Sequence, residues 1–164
     1  MIVPRVRTPV PVEGLADALD AAHRGIRGWG IPTDAGRIAV AQLRLEHGVS
    51  DGCLRGVYGF NFGNHDASPA ERADPTCAVF ETLPEHEDSQ RGPYVVTHVR
   101  RAYADLDDGL RGYWDTLFGT RYEAAYEAMC AGDPRGFVHA LKGAGYFTAD
   151  ERLYLRAVLA QMPQ

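Results

Sequence analysis

The sequence has no apolar run approaching the roughly 18 residues of a membrane-spanning helix, so no span is expected. It has no basic run either. The formal net charge is -5, which argues against a nucleic-acid partner. Cysteine is scarce: Cys53, Cys77 and Cys130 are odd in number and far apart, so neither a disulfide framework nor a CxxC metal motif is present, and reduced thiols are the simpler reading. His65, His86 and His98 fall in a stretch that also holds Asp66, Glu85, Glu87 and Asp88, but they follow neither an HxxxH nor an HExxH spacing; no metal and no cofactor is expected. Neither Gly28-Trp29-Gly30 nor residues 56–59 ends in Gly-Lys-Ser/Thr, which excludes a phosphate loop. Ser50 and Ser68 lack a nucleophile-elbow context, and Cys53 has only distant histidines in sequence. The stretch MIVPRVRTPVPVEG lacks the apolar segment and cleavage pattern of a secretory signal, so the chain is expected to be made in the cytoplasm without one.

What is present fits one domain. The chain has 164 residues, 45% of them hydrophobic and 24% charged, enough for a substantial core. Residues 1–11 hold three prolines among alternating valines and read as an extended arm. Residues 12–48 carry two helices. The first, over 13–27, has Leu15, Leu19, Ala22 and Ile26 at helical spacing; the second, over 35–48, follows Pro32-Thr33-Asp34 as cap chemistry and ends at Gly48. Residues 49–101 change character, with clustered Gly, Pro, Asp and Asn and short apolar runs at 57–62, 77–83 and 94–99. They read as loops around a small antiparallel sheet, with 85–92 as a mobile tip. Residues 102–164 return to helices: one capped by Asp105, one over 121–131, one opened by Asp133-Pro134, and a last one started by a Thr148/Glu151 capping box with Leu155, Val158, Leu159 and Met162 inside.

The helix over 35–48 organises the rest. Ile38, Val40, Ala41, Leu43 and Leu45 cover so much of its circumference that it must be buried on most sides. Gln42 and Glu46, one turn apart, share a face. A carboxyl in the last turn of such a helix feels both desolvation and the negative end of the helix dipole, and both favour its protonated form. That is the condition for a general acid at neutral pH.

Four segments then occur in a telling order. Residues 41–48, AQLRLEHG, 58–64, YGFNFGN, 101–103, RAY, leading into Asp105–Asp108, and 145–150, GYFTAD, resemble the successive motifs of the lysozyme-like superfamily. The closest resemblance is to the flagellar and autolysin type N-acetylglucosaminidases of glycoside hydrolase family 73. His47 stands where that pattern has Ser, Arg100 where it has Phe, and one residue is added in the Gly-Tyr turn. The resemblance implies an α+β, lysozyme-like fold, mostly helical with a small antiparallel β lobe. It also implies cleavage of the β-1,4 glycan of peptidoglycan with Glu46 as acid.

A second carboxylate would activate water or stabilise the oxocarbenium-like centre. Glu81, in the 77–83 run, is the candidate, with Glu85, Glu87 and Asp88 as competitors and the substrate's acetamido group as a substitute. Asn61, Tyr146, Tyr103 and Gln42 are expected to bind sugar: an Asn amide both donates and accepts, and a Tyr offers an apolar face with a hydroxyl. His47 is expected to alter the hydration of Glu46. Two rivals stay open, a lytic transglycosylase using the same Glu, and a lysozyme-like module that binds glycan or a partner without cutting. Action on the wall by a chain with no signal peptide implies delivery by a secretion or injection machine, a phage tail or a holin, with an immunity protein as partner.

Overall fold

The computed structural model describes residues 1–89 and 92–163. Its centre is helix α2 (Thr33–His47), in which residues 38–43 are all buried and which packs on the helices before and after it. Helix α1 (Leu15–Arg27) precedes it, closed by Gly28 in the left-handed region, φ 79°, where a side chain would be strained. Pro32 occupies the N-cap position of α2, so Thr33 and Asp34 form its first turn and do not cap it. Gly48, also at positive φ, ends it and turns the chain into the β region.

That region consists, among the described residues, of three small antiparallel sheets. Strands β1 (Val10–Pro11), β2 (Val49–Ser50) and β3 (Cys53–Leu54) form the order β1-β3-β2. Strand β4 (Val79–Glu81) pairs with β7 (Val99–Arg101), and β5 (Glu85–Ser89) with β6 (Gly92–Val96). The N-terminal arm is thereby woven in: Val3 N–H donates to the Val79 carbonyl (2.8 Å), Thr8 N–H to Val57 (2.9 Å) and Gly59 N–H to Val6 (3.1 Å). The expected tip at 85–92 is largely a strand ladder; the side chains of Glu85, His86, Glu87 and Asp88 lie outside the described residues. A short helix, α3 (Pro69–Ala73), also falls where only loops and strands were expected, started by a full Ser68/Glu71 capping box with proline in the first turn.

Four helices complete the fold: α4 (Leu106–Phe118) capped by Asp105, α5 (Glu123–Cys130), α6 (Pro134–Gly143) capped by Asp133, and α7 (Glu151–Gln161). The cap of α7 corrects the expectation. Asp150 accepts from Arg152 N–H (2.9 Å) and Leu153 N–H (3.1 Å), so Thr148 stands two residues outside the helix. Val158 is buried as expected and is joined there by Tyr154, whereas Leu159 is exposed. Cys53, Cys77 and Cys130 are all unpaired.

The core runs from α1 through α2 to α4. Trp114 is fully buried and its indole N–H donates to the Leu19 carbonyl (2.9 Å). His23, equally buried, donates from Nδ1 to the Trp29 carbonyl (2.8 Å) and so accepts at Nε2 from the Tyr126 hydroxyl (2.9 Å). Burial holds this imidazole neutral by lowering its pKa.

Two glycines on α4 seat the β region. A Cβ at Gly109 would collide with the Phe60 carbonyl, and one at Gly112 with the Tyr103 ring. Alanine in a helix interior ordinarily stabilises by about 1 kcal/mol over glycine. Gly109→Ala is expected to do the opposite, lowering stability by about 1–3 kcal/mol through overpacking. Denaturant titration and thermal melting of the two proteins check the sign.

Candidate active site

Glu46 sits in the last turn of α2, half-buried. Its Oε1 accepts a hydrogen bond of 2.5 Å from the hydroxyl of Tyr154, which reaches it from the first turn of α7. The Tyr154 ring is fixed in turn by Phe147, stacked parallel on it with centroids 3.9 Å apart. Desolvation raises the pKa of Glu46, and the Tyr154 hydrogen bond, which favours the carboxylate, opposes it without cancelling it.

Two further tyrosines close on the same carboxyl. Tyr113, fully buried on α4, donates to Gln42 Oε1 at 2.8 Å. Tyr146 stands edge-on to Tyr122, with centroids 5.7 Å apart. Burial suppresses ionisation of Tyr113, Tyr146 and Tyr154, and the negative charge of Glu46 adds to the effect on each. Of these three neutral tyrosines only Tyr154 donates to the Glu46 carboxyl; the other two feel its charge. Gln42 is 1% exposed; with its oxygen engaged by Tyr113, its Nε2 has no acceptor at bonding geometry, yet lies close enough to favour the ionised form of Tyr146. The amide is thus a buried donor beside the acid.

The structure places Gln42 one turn before Glu46 and Tyr146 within range of its charge; Asn61 and Tyr103 are held by other partners, and Glu81 stands exposed on β4. Asn61 is 3% exposed and its amide is fully engaged, Nδ2 donating to the carbonyls of His65 and Arg101 (both 3.0 Å) and Oδ1 accepting from His65 N–H (2.9 Å). It pins the 61–65 loop to β7 and leaves no donor for a sugar. The Tyr103 hydroxyl bonds His65 Nδ1 (2.6 Å), and burial pushes its pKa up to about 12. Its ring faces a separate cavity, of about 460 Å³, with Thr76, Cys77, Arg111 and Asp115. Glu81 is exposed on β4 opposite Val99, whereas the neighbouring pair is Phe80 with Arg100. Side chains alternate across a sheet, so Glu81 and Arg100 point to opposite faces. Glu81 therefore shares the Val99 face of the β4–β7 pair.

His47 corrects a further expectation. It is 5% exposed and donates from Nε2 to the Phe62 carbonyl (3.1 Å), on the β-region side of α2. Burial keeps it neutral. It fastens the end of α2 to the 58–64 loop and does not hydrate Glu46. Tyr154, the hydrogen-bond partner of Glu46, is absent from the stripe expected of α7; its i, i+4 spacing with Val158, which belongs to that stripe, is the signal that points to it. Among the described residues no cluster of three or more His, Cys, Asp or Glu is placed to hold a metal ion.

No protein-family model matches the sequence, and no curated protein matches it. Solved structures do. A mutant of a peptidoglycan hydrolase from Sphingomonas sp. A1 superposes with a TM-score of 0.64 over 90% of both chains at 24% identity. The peptidoglycan hydrolase from Sphingomonas sp. A1 gives a TM-score of 0.52 at 21% identity, over 91% of this chain and 96% of that one. The C-terminally truncated glycoside hydrolase domain of FlgJ from Salmonella typhimurium gives 0.54 at 21% identity, over 92% and 91%. The chain therefore has the α+β, lysozyme-like fold of these glycoside hydrolases, the class expected from its motifs.

A carboxyl-carbon NMR titration should place the midpoint of Glu46 above the ordinary value of 4.5. Tyr154→Phe removes the one bond that favours the carboxylate, so the midpoint should rise further. An unchanged or lower midpoint would show that the hydrogen bond does not act on the carboxylate.

Proposed function

We infer that this chain cleaves the β-1,4 glycosidic bonds of peptidoglycan with Glu46 as general acid. The observation that carries the reading is a half-buried carboxyl at the end of α2, its protonated form favoured by burial and its Oε1 held by the Tyr154 hydroxyl. Its support from outside the chain is a fold shared with peptidoglycan hydrolases.

In this mechanism a glycan strand lies across the end of α2 and Glu46 protonates the oxygen of the scissile bond. Without that proton the departing sugar would leave as an alkoxide, a poor leaving group near neutral pH. Proton transfer creates a carboxylate in a partly desolvated site, and the Tyr154 hydroxyl, already on Oε1, stabilises it. The partly buried Tyr146 side chain would contact the sugar, and the fully buried Gln42 amide would orient its hydroxyl. The second role falls to Glu81 on the β lobe, with Glu85, Glu87 and Asp88 of the β5–β6 pair as competitors, or to the acetamido group of the substrate. The site of action is the cell wall, reached by an exporting, injecting or phage-borne machine. An immunity protein is the partner such a toxin would need.

Wild-type protein should clear a suspension of purified peptidoglycan, and Glu46→Gln should lose at least about 100-fold in rate. Mass spectrometry of the fragments reads the chemistry. Reducing-end sugar marks hydrolysis, whereas an anhydro product marks a lytic transglycosylase. Binding to sacculi without clearing would replace the enzyme by a binding module. The acid must be protonated to act, so kcat/KM should fall as pH rises through the raised pKa of Glu46. Tyr154→Phe should lower the rate and move that fall to higher pH.

A further inference from the structure

The turn between α6 and α7 is short and closely tied to the acid. Helix α6 closes in a Schellman motif: Gly145 N–H donates to the Lys142 carbonyl and Tyr146 N–H to the Leu141 carbonyl (both 3.0 Å), with Gly145 left-handed at φ 72°. Helix α7 then opens at the Asp150 cap, so residues 146–149 alone separate Gly145 from that cap. Two of them bear on Glu46. Tyr146 feels its charge, and Phe147 stacks on Tyr154, whose hydroxyl donates to its Oε1.

Two cations hold this turn by its backbone carbonyls. At its start Arg121 Nε donates to the Ala144 carbonyl (2.8 Å). At its end Lys142 Nζ donates to the carbonyls of Thr148 and Ala149, both at 2.8 Å. The same ammonium lies over the Phe147 ring, 5.3 Å from its centroid, within reach of a cation–π contact. Both lysine bonds are exposed, so water would replace them at little cost, and fixing the long side chain sacrifices rotamer freedom. The clamp therefore adds little to global stability. What it determines is where the Phe147 ring and the start of α7 lie.

We propose that Lys142 is a positioning residue: by clamping the 148 and 149 carbonyls it sets Phe147 against Tyr154 and so keeps the Tyr154 hydroxyl on the Glu46 carboxyl. The path is contiguous, from the ammonium to the Phe147 ring, the Tyr154 ring, its hydroxyl and Oε1 of the acid. A second route runs through the backbone, because the clamp ends one residue before Asp150, which sets where α7 begins and hence how far Tyr154 reaches. The proposal deepens the reading of Glu46 as acid and rests on that reading only for its bearing on catalysis. Without the clamp the Tyr154 bond would be made for part of the time. The carboxylate would lose part of the hydrogen bond that favours it, and Glu46 would hold its proton to higher pH. The titratable groups that face Glu46 among the described residues are Tyr113 on α4, Tyr146 on the turn and Tyr154 on α7, each held neutral by burial.

The test is a carboxyl-carbon NMR titration of Glu46 in a double-mutant cycle with Tyr154→Phe, which needs no substrate. Lys142→Met keeps the aliphatic stem and removes the donors. It should raise the Glu46 midpoint by about 0.3–1 pH unit, a part of the rise expected of Tyr154→Phe. Lys142→Arg, which retains charge and donors, should stay near the wild type. Added to Tyr154→Phe, Lys142→Met should move the midpoint no further, because the bond through which Lys142 acts is gone. Lys142→Gln gives the same reading should Lys142→Met not fold. An unmoved midpoint in the folded variant, an equal rise in Lys142→Arg, or an equal rise with and without the Tyr154 hydroxyl would overturn the proposal, the last by marking a direct effect of charge. Clearing of sacculi is scored separately. In an active enzyme Lys142→Met should lower kcat several-fold and move its fall to higher pH together with the midpoint. An inactive wild type whose Glu46 midpoint still follows the cycle would remove the catalytic reading and leave the positioning role standing.

Discussion

The structure depends on one hydrogen bond between groups 108 residues apart, from the Tyr154 hydroxyl to the Glu46 carboxyl. A carboxyl on a helix as apolar as α2 has two stable surroundings, open water or a cage of donors. Here the second holds. To supply it, α7 must cross α2 with Tyr154 inward, which requires the Asp150 cap to set where the helix begins and Phe147 to hold the ring. Tyr113 on α4 reaches the same helix through Gln42, one turn earlier. The arrangement of α4 and α7 around α2 is thus the arrangement of the site, and neither can be altered without the other.

The β region is attached to this helical frame by polar rivets more than by apolar area. Asn61 closes its own loop and ties it to β7 with three bonds. His47 joins the end of α2 to the same loop, and Gly109 and Gly112 let Phe60 and Tyr103 press against α4. Each of these residues is buried or in tight contact and hydrogen-bonded or size-limited, so the wall beside Glu46 is held by geometry with little slack. Such rigidity fits the proposed function, under which a proton would have to reach one oxygen of a bound strand and displacements near 1 Å would carry large rate penalties.

Much of this was legible in the sequence. The order of helices, the caps at Asp105 and Asp133, the burial of α2 and the place of Glu46 at its end follow from periodicity and local turn chemistry. What did not follow has two physical sources. Local signals can be present and compete: Thr148 with Glu151 makes an acceptable capping box, but Asp150 lies nearer and accepts from two amides. The same competition hid α3, whose Ser68-Pro69 start and Glu71 form a box as good as any in the chain. The other source is strand parity and partner choice, which are tertiary. Nothing local says which face of β4 carries Glu81; its place opposite Val99, on the face away from Phe80 and Arg100, comes only from the fold. Likewise an Asn in a Gly-rich loop reads equally well as a sugar ligand or as a rivet, and only the carbonyls of His65 and Arg101 decide.

The raised pKa of Glu46 resolves a conflict between the site and its scaffold. His23 and His47 are buried neutral, with pKa values held below the ordinary 6.5. Such groups contribute stability that is present above the unfolded value and is lost as pH falls through the folded one, because the unfolded chain takes up protons that the folded chain resists. Glu46 has the opposite sign. Its folded pKa exceeds the ordinary 4.5, so its contribution is present below that value and is lost as pH rises through the folded one. An acid with an unshifted carboxyl would be protonated only where the two imidazoles are already pulling the fold apart. Burial of Glu46 moves its protonation upward, toward the range in which His23 and His47 remain neutral. Under the proposed function, the desolvation that favours the protonated carboxyl therefore also moves its titration away from the pH range in which the two imidazoles destabilise the fold.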